Sequence, residues 1–314
     1  PKLGTDLIWL GSPNAKNVLV FISGTHGVEG YCGSAIQQFL LSVLSGCELP
    51  NSTSVLMIHS LNPWGMYWAR RCDQSGVDLN RNFVDYHNTP AIDPEYKGIL
   101  NALIATQTPY QEMLIQAAKW GQQRFDSIFS GGQYDHQWAP FYGGAEPAHG
   151  RKVIEQVIQD YQLAQRNTMV IDLHTGLGPW AFGELISDHA PNSHSNQAAK
   201  TVFGSAIANA HEGNSCSVPK IGLLDYCFHD YMNDKSFFLT LEFGTYGSAA
   251  LFDVLLSDHV FWKTFDPPLN NNSIYQLNRK RMIEHFCPND SLWQQACLFK
   301  AWQVFSRLSL SISK

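Results

Sequence analysis

The chain has 314 residues, of which 44% are hydrophobic and 15% are charged, and its formal net charge is −6. This balance is typical of a soluble globular protein with a buried core and argues against a disordered chain. The negative charge disfavours nucleic acid and anionic membranes as partners. The sequence contains no run of about 18 apolar residues, so a transmembrane helix is not expected.

Four apolar runs rich in branched residues predict buried strands, at residues 18–23, 55–60, 168–173 and 237–241. Periodic segments predict helices, at residues 34–43, 94–105, 111–129, 148–164, 195–211, 274–286 and 291–308. Strands that alternate with helices indicate an α/β sheet covered on both faces. We expect one catalytic domain over residues 1–314, with residues 270–314 as a C-terminal helical extension.

Seven cysteines are scattered along the chain without a CxxC pair. This usage predicts reduced thiols in a cytoplasmic protein. The first four residues lack the charged and apolar segments of a signal peptide. Because the chain begins without Met, a removed or truncated leader is kept as an alternative. The sequence does not define an oligomeric state.

Three of the predicted strands run into polar residues that suit metal chemistry. The first leads into His26 and Glu29, within a glycine-rich turn, and the third leads into His174. In open α/β sheets, ligands bind outside the carboxyl ends of the strands, so these segments can converge. A catalytic zinc ion commonly takes two imidazoles, a carboxylate and a water. The combination predicts a zinc site, although a single histidine at a strand end is more often structural.

Glu242 follows the fourth predicted strand. A carboxylate buried there without a partner would be costly in free energy. Glu242 is interpreted as a general base that takes a proton from water and passes it to a leaving amine. A structural salt bridge is the alternative.

The segment 68–83 contains Arg70, Arg71, Asn80 and Arg81 among apolar residues. Such alternation favours a partly enclosed polar lining, with a solvated surface loop as the alternative. The planar guanidinium group of arginine suits bidentate binding of a carboxylate. An arginine aimed at a reacting carbonyl oxygen would stabilise the developing oxyanion.

Together, the His26-x-x-Glu29 pair, the run at residues 77–83, His174 and Glu242 resemble the zinc carboxypeptidase superfamily in order and context. That group includes carboxypeptidase A and, more distantly, aspartoacylase and succinylglutamate desuccinylase. The form of the first motif is similar to a poorly characterised bacterial branch that carries a domain of unknown function. The resemblance implies a mixed, largely parallel sheet of about eight strands with helices on both faces.

By this resemblance, His26, Glu29 and His174 hold one zinc ion per chain, and Glu242 is the general base. Arg71 would polarise the scissile carbonyl, with Arg70 as the alternative for that role.

On the substrate side, the resemblance implies that Asn80 and Arg81 bind the substrate carboxylate. A tyrosine from a mobile loop assists in carboxypeptidases, and Tyr226 and Tyr231 are both candidates for it.

The predicted function is cleavage of an amide bond next to a free carboxylate, in a small peptide substrate. An N-acyl amino acid amidohydrolase, acting on an acylated amino acid, is the first alternative. A catalytically silent binding module is the second. Glu242 argues against the silent module, because such a protein has no need of a general base.

Three further histidines, His189, His194 and His211, are interpreted as surface residues. A second metal site is the alternative.

Overall fold

Seven strands form one sheet in the part of the chain that the structure, a computed structural model, describes: residues 2–264 and 272–312. They are β1 (Asp6–Gly11), β2 (Asn17–Ser23), β3 (Thr53–His59), β4 (Asn167–Gly176), β5 (Gly183–Ser187), β6 (Ile207–Asn209) and β7 (Phe237–Gly244). The order across the sheet is β1-β3-β2-β4-β7-β5-β6. Strands β3, β2, β4 and β7 are parallel neighbours, whereas β1 and β5 run antiparallel to β3 and β7. The predicted mixed, largely parallel sheet is therefore confirmed, with seven strands described.

Eleven helices of the described residues surround this sheet. They are α1 (Gly30–Leu44), α2 (Pro63–Trp68), α3 (Tyr96–Ala105), α4 (Pro109–Trp120), α5 (Gln122–Ser130), α6 (His149–Asp160), α7 (His194–Phe203), α8 (Tyr226–His229), α9 (Ser248–Thr264), α10 (Ser273–Phe286) and α11 (Ser291–Ile312).

Alternating side chains of β2 show why both faces of the sheet are covered. Leu19 and Phe21 point into a core shared with α1, α7 and α11. Val18, Val20 and Ile22 point into a second core shared with α6. Since successive side chains of a strand point to opposite faces, an all-apolar strand needs apolar partners on both sides.

A third core lies between helices α3, α4, α5, α9 and α10. It contains stacked and edge-on phenylalanine rings, among them Phe125, Phe129, Phe141 and Phe252. Val28, from the turn that follows β2, belongs to the same core. This cluster fixes helices beside the segment that contains His26 and Glu29.

Two predicted helices are shorter in the structure than in the sequence pattern. The helix predicted at 111–129 is divided into α4 and α5 at Gly121, which has φ +80°. The helix predicted at 195–211 ends at Phe203, before Gly204 with φ +62°, and β6 follows. Both glycines adopt a backbone conformation that other residues rarely take, so the α-helix cannot continue through them.

The edge strand β1 and the long helix α9 were not predicted from the sequence. Strand β1 is mostly exposed and so lacks a clear apolar pattern. Helix α9 buries apolar residues together with Asp258 and His259, which obscures a helical stripe.

The predicted C-terminal helices 274–286 and 291–308 correspond to α10 and α11. Trp293, Cys297 and Val304 of α11 are buried in the core that contains Leu19 and Phe21 of β2. Residues 270–271 and 313–314 of the predicted extension lie outside the described residues. None of the described helices is long and apolar enough to cross a membrane.

Candidate active site

The three strands that carry the predicted site residues are neighbours in the sheet. Strand β4 lies between β2 and β7, and all three are parallel. His174 of β4 is the register partner of Glu242 of β7, so the two side chains leave the sheet side by side. The turn after β2 adds His26 and Glu29 at the same edge. The predicted convergence of distant segments is thus present in the fold.

His26, Glu29 and His174 are only 2%, 1% and 3% exposed. One donor atom from each lies within 4.8 Å of the others, and this is the one such group of three found among the described residues. His174 Nδ1 lies 3.3 Å from Glu29 Oε2. Two imidazoles and a carboxylate at this spacing are a donor set that suits a catalytic zinc ion.

A second carboxylate orients His174. Asp172 Oδ2 lies 2.6 Å from His174 Nε2, and the Thr25 hydroxyl donates to both oxygens of Asp172 at 2.9 and 3.1 Å. This pairing holds a proton on Nε2 and leaves Nδ1 directed at Glu29, as in carboxylate–histidine–metal arrangements. Burial lowers the pKa of His174, but Asp172 and Glu29 outweigh it and raise that pKa well above 6.5. Their charges therefore favour a cation at this position.

His26 also fits a metal site. Its Nδ1 is buried without a hydrogen bond in the described residues, although Asp78 Oδ1 lies 3.3 Å away. Burial, together with the charge of Arg71, lowers the pKa of His26 well below 6.5. The imidazole is consequently neutral near pH 7, which is the form that binds a metal.

Arg71 lies against these ligands, whereas Arg70 points elsewhere. Arg71 donates to Glu29 Oε1 at 2.9 Å, to His26 Nε2 at 2.7 Å and, through Nε, to Asp78 Oδ2 at 2.9 Å. Arg70 donates to Asp258 of α9 at 2.7 Å, and its guanidinium lies over the ring of Trp262. Of the two adjacent arginines, only Arg71 lines the pocket in the described residues.

Glu242 is 7% exposed and accepts a hydrogen bond from the Leu177 N–H at 2.9 Å. Burial raises the pKa of Glu242 to about 7, and the nearby carboxylate of Glu29 adds to this rise. No salt bridge to Glu242 is present in the described residues, so the alternative of a structural ion pair has no support there. A carboxyl group with a pKa near neutrality can accept a proton and return it.

Asn80 and Arg81 line the same pocket. Arg81 is 1% exposed, and its Nε and Nη2 donate to Ser130 O at 3.1 and 2.7 Å, while Nη1 donates to Asn80 O. An arginine has five N–H donors, so two remain for a ligand. Asn80 Oδ1 accepts from Leu224 N at 2.7 Å, which leaves the amide nitrogen of Asn80 to donate.

Several further polar residues, not predicted from the sequence, also line this pocket. Lys220 comes from the loop before α8, Asp188 follows β5, and Asp126 lies on α5. Burial raises the pKa of Asp126 and of Asp188 to about 6. No local pattern identifies these residues, because each reaches the pocket through long-range packing alone.

The two candidate tyrosines are placed differently. Tyr226 donates its hydroxyl hydrogen to Lys220 O at 2.9 Å and thus supports the loop behind the pocket. Tyr231 is 52% exposed and lies beside Ile158 and Phe228, at a different surface. Neither lines the pocket in the described residues, and a role for either stays a prediction.

The surface interpretation of the downstream histidines is wrong for His189. Its side chain is buried, and its Nε2 accepts from Phe238 N at 2.9 Å. Its ring also packs on His229, with ring centroids 4.3 Å apart. His189 is therefore a core residue.

No functionally curated protein matches the sequence significantly. Similar solved structures include a succinylglutamate desuccinylase from Chromobacterium violaceum, with 14% identity, 90% of this chain and 65% of that chain covered, and a TM-score of 0.41. The murein-tripeptide amidase MpaA from Escherichia coli O157 is 16% identical, with a TM-score of 0.41. That match covers 83% of the present chain and 87% of the amidase. A carboxypeptidase A from Helicoverpa armigera is 13% identical, with a TM-score of 0.43. That match covers 94% of the present chain and 66% of the carboxypeptidase.

The present chain thus spans about two thirds of the desuccinylase and of the carboxypeptidase. These similarities concern the arrangement of the chain and not its reaction, and the fold class rests on the sheet itself. The predicted similarity to a family that carries a domain of unknown function is confirmed. Residues 1–300 match the family described as "Protein of unknown function (DUF2817)", and the chain belongs to that family.

Proposed function

We propose that this protein is a zinc-dependent hydrolase that cleaves an amide bond next to a free carboxylate. The observation that carries the proposal is one pocket lined by His26, Glu29 and His174 together with Glu242 and Arg81. A metal ligand set alone would suit many proteins. A buried general base and an arginine with free donors beside it suit amide hydrolysis of an anionic substrate.

His26, Glu29 and His174 would hold the ion, which when bound supplies an acidified water and polarises a carbonyl oxygen. Glu242 would accept a proton from the attacking water and deliver it to the nitrogen of the leaving amine. Arg71 would donate hydrogen bonds to the carbonyl oxygen as negative charge develops there. Asp78 would hold the Arg71 guanidinium in place, because it binds Nε at 2.9 Å and leaves the terminal nitrogens directed at the site.

The substrate carboxylate would bind at Arg81 and Asn80. A carboxylate can accept hydrogen bonds from the two remaining Arg81 N–H groups and from the Asn80 amide nitrogen. Because Arg81 is buried, a substrate without this charge would leave the arginine without a counterion. The carboxylate would therefore decide which substrates are cleaved.

Two reactions fit this site equally well. In a carboxypeptidase the acyl side of the scissile amide is a peptide, and in an N-acyl amino acid amidohydrolase it is a simple acyl group. Both need the same ligands, base and carboxylate site. A panel of short peptides and acylated amino acids with the same C-terminal residue separates the two.

The test of the proposal compares substrates with a free carboxylate and with an amidated carboxylate. The wild-type protein should cleave the acid form and largely ignore the amide. Arg81→Ala should lower kcat/KM for the acid by about a hundredfold, since hydrogen bonds to a charged group are lost, and hardly change the poor cleavage of the amide. Arg81→Lys should restore only part of the activity, because an ammonium lacks the planar fork.

Arg81 also holds Ser130 O, so a structural effect needs a matched control. Arg151 donates to Asn82 O and Val84 O of the same segment at 2.7 and 2.9 Å and does not line the pocket. Arg151→Ala should leave the preference for the acid form intact, with folding of both variants checked by thermal unfolding. Equal cleavage of acid and amide by the wild-type protein would contradict the carboxylate requirement.

A further inference from the structure

The loop before α8 places a serine against a lysine inside the pocket. Ser217 and Lys220 both line the pocket, and Lys220 Nζ is in hydrogen-bond contact with Ser217 Oγ. The lysine Nζ also donates to Val218 O at 3.0 Å. Both residues are half-buried. A hydroxyl and an amine in direct contact within a cleft have the arrangement of a nucleophile and its base.

The spacing of this pair, Ser217-x-x-Lys220, also occurs in enzymes that form acyl-serine intermediates. Such a spacing is frequent by chance, so the contact between the two side chains carries the argument. Apart from Lys220, the Ser217 hydroxyl has one long hydrogen bond among the described residues, to Val218 O at 3.4 Å. The oxygen of Ser217 is therefore available to attack a molecule in the pocket.

The loop is held on both sides of the pair. Before the pair, Glu184 Oε2 accepts from Cys216 N at 3.0 Å. At its other end, the Tyr226 hydroxyl donates to Lys220 O at 2.9 Å. Pro219 lies between the two residues, and its ring restricts φ to about −65°. The contact of serine and lysine is consequently positioned by the fold.

The lysine can lose its proton near neutral pH. Burial, followed by the charge of Arg81, lowers the pKa of Lys220 to about 8, although the negative forms of Asp188, Glu242 and Cys216 oppose this shift. None of the ion pairs in the described residues involves Lys220. A neutral amine can accept a proton from a hydroxyl that it contacts.

We propose that Ser217 and Lys220 form a second catalytic pair in this pocket, a nucleophilic serine with a lysine base that is acylated by activated carboxylic esters. Lys220 Nζ takes the proton of Ser217 Oγ while Oγ forms a bond to the ester carbonyl carbon. The bond from that carbon to the alcohol oxygen then breaks, and the alcohol leaves with the electron pair and the proton held by Lys220. Water hydrolyses the resulting acyl ester of Ser217. No step needs a metal ion, so this activity is separate from the proposed amide hydrolysis.

The first experiment treats the purified full chain with p-nitrophenyl acetate and follows p-nitrophenolate release together with the mass of the protein. We expect an initial burst of release and one acetyl group on Ser217, both before and after treatment with a zinc chelator. Ser217→Ala should lose the acetyl group and slow the burst by at least about a hundredfold. Ser130 is an internal control, because it lines the same pocket but its hydroxyl donates to Asp126 O, and it should stay unmodified.

Variants of the lysine separate a base from a residue that only holds the loop. Lys220→Arg keeps a long cationic side chain that can hydrogen-bond Ser217 but cannot accept a proton, so acylation should slow by at least about a hundredfold. In the wild-type protein, the acylation rate should rise with pH through about 8, as Lys220 loses its proton. Lys200→Met is the matched control, since Lys200 pairs with Glu212 and does not line the pocket, and it should react like the wild type.

Thermal unfolding shows that each variant is folded before rates are compared, and amide hydrolysis is measured on the same preparations. Equal acylation of the wild-type protein and Lys220→Arg would refute the lysine as the base. A wild-type protein without acetyl on Ser217 would contradict the pair altogether. Ester cleavage that stops when zinc is removed would belong to the zinc site and would also overturn the proposal. None of these results depends on whether an amide is cleaved.

Discussion

At the scale of single residues, the candidate metal site depends on side chains that do not touch the ion position. Asp172 fixes the ring of His174, and Thr25 fixes Asp172. Asp78 lies beside both His26 and Arg71. Such outer contacts orient ligands and tune their basicity, so the donor set is held ready by the fold.

We predict that the purified protein contains about one zinc ion per chain, as the resemblance to zinc carboxypeptidases implies and as three protein ligands allow. His174→Ala removes one of the two imidazoles and should abolish tight binding. Asp172→Asn should weaken zinc binding by roughly ten- to a hundredfold, because the ring loses its orienting carboxylate. Metal content is measured by elemental analysis after dialysis. Full zinc retention in His174→Ala would refute the assignment.

A second prediction at this scale concerns Glu242. Glu242→Gln keeps the shape of the side chain but cannot accept a proton, so zinc should be retained while turnover falls by at least about a hundredfold. The measurement combines metal analysis with steady-state kinetics on one preparation. Loss of zinc in this variant would instead identify Glu242 as a ligand, and Glu29 would then need another role.

At the scale of elements, two loops build the substrate side of the pocket, and they meet at Gly222. This glycine has φ +73°, and a Cβ added to it would lie 2.3 Å from Arg81 O. Tyr134 also donates its hydroxyl hydrogen to that carbonyl oxygen, at 2.7 Å. The loop that contains Lys220 and Gly222 therefore packs directly against the backbone of Arg81.

Gly222→Ala should be destabilising and should also weaken substrate binding, because the added Cβ would clash with the backbone of Arg81, the proposed carboxylate-binding residue. Gly213→Ala is the matched control: Gly213 has a similar φ of +71°, but no atom lies within 4 Å of its added Cβ. The control should lose about 1 kcal/mol from the backbone conformation alone. Gly222→Ala should lose roughly a further 1–3 kcal/mol from the steric clash, measured by chemical unfolding. Equal losses in the two variants would show that the close approach is unimportant.

At the scale of the whole molecule, the sheet and its helices hold the site from both sides. Helix α11 completes the core on one face of β2, while α9 and α10 pack beside the turn after β2. Asp258 of α9 binds Arg70 at 2.7 Å and accepts from Asn278 of α10 at 2.9 Å. This buried contact orients Arg70 away from the pocket, and the adjacent Arg71 toward it. The organisation as one catalytic domain over residues 1–314 remains a proposal that this shared packing supports.

The sequence by itself determined the four central strands. It also determined that His26, Glu29, His174 and Glu242 lie at the carboxyl ends of three of them. These features are readable because an apolar run and the polar residue at its end are contiguous in the chain. Gly121 and Gly204, which interrupt the predicted helices with a positive φ, were also visible in the sequence, but a glycine within a helical pattern does not by itself show that the helix ends there.

Only the tertiary structure decided which arginine faces the site and that Lys220 belongs to it. Arg70 is selected by Asp258, which is 188 residues away in the chain. Lys220 is placed by the contact of Gly222 with Arg81 and by hydrogen bonds within its own loop. Contacts between residues so far apart leave no periodic pattern in the sequence, because they depend on how separate elements pack and not on the conformation of either segment alone.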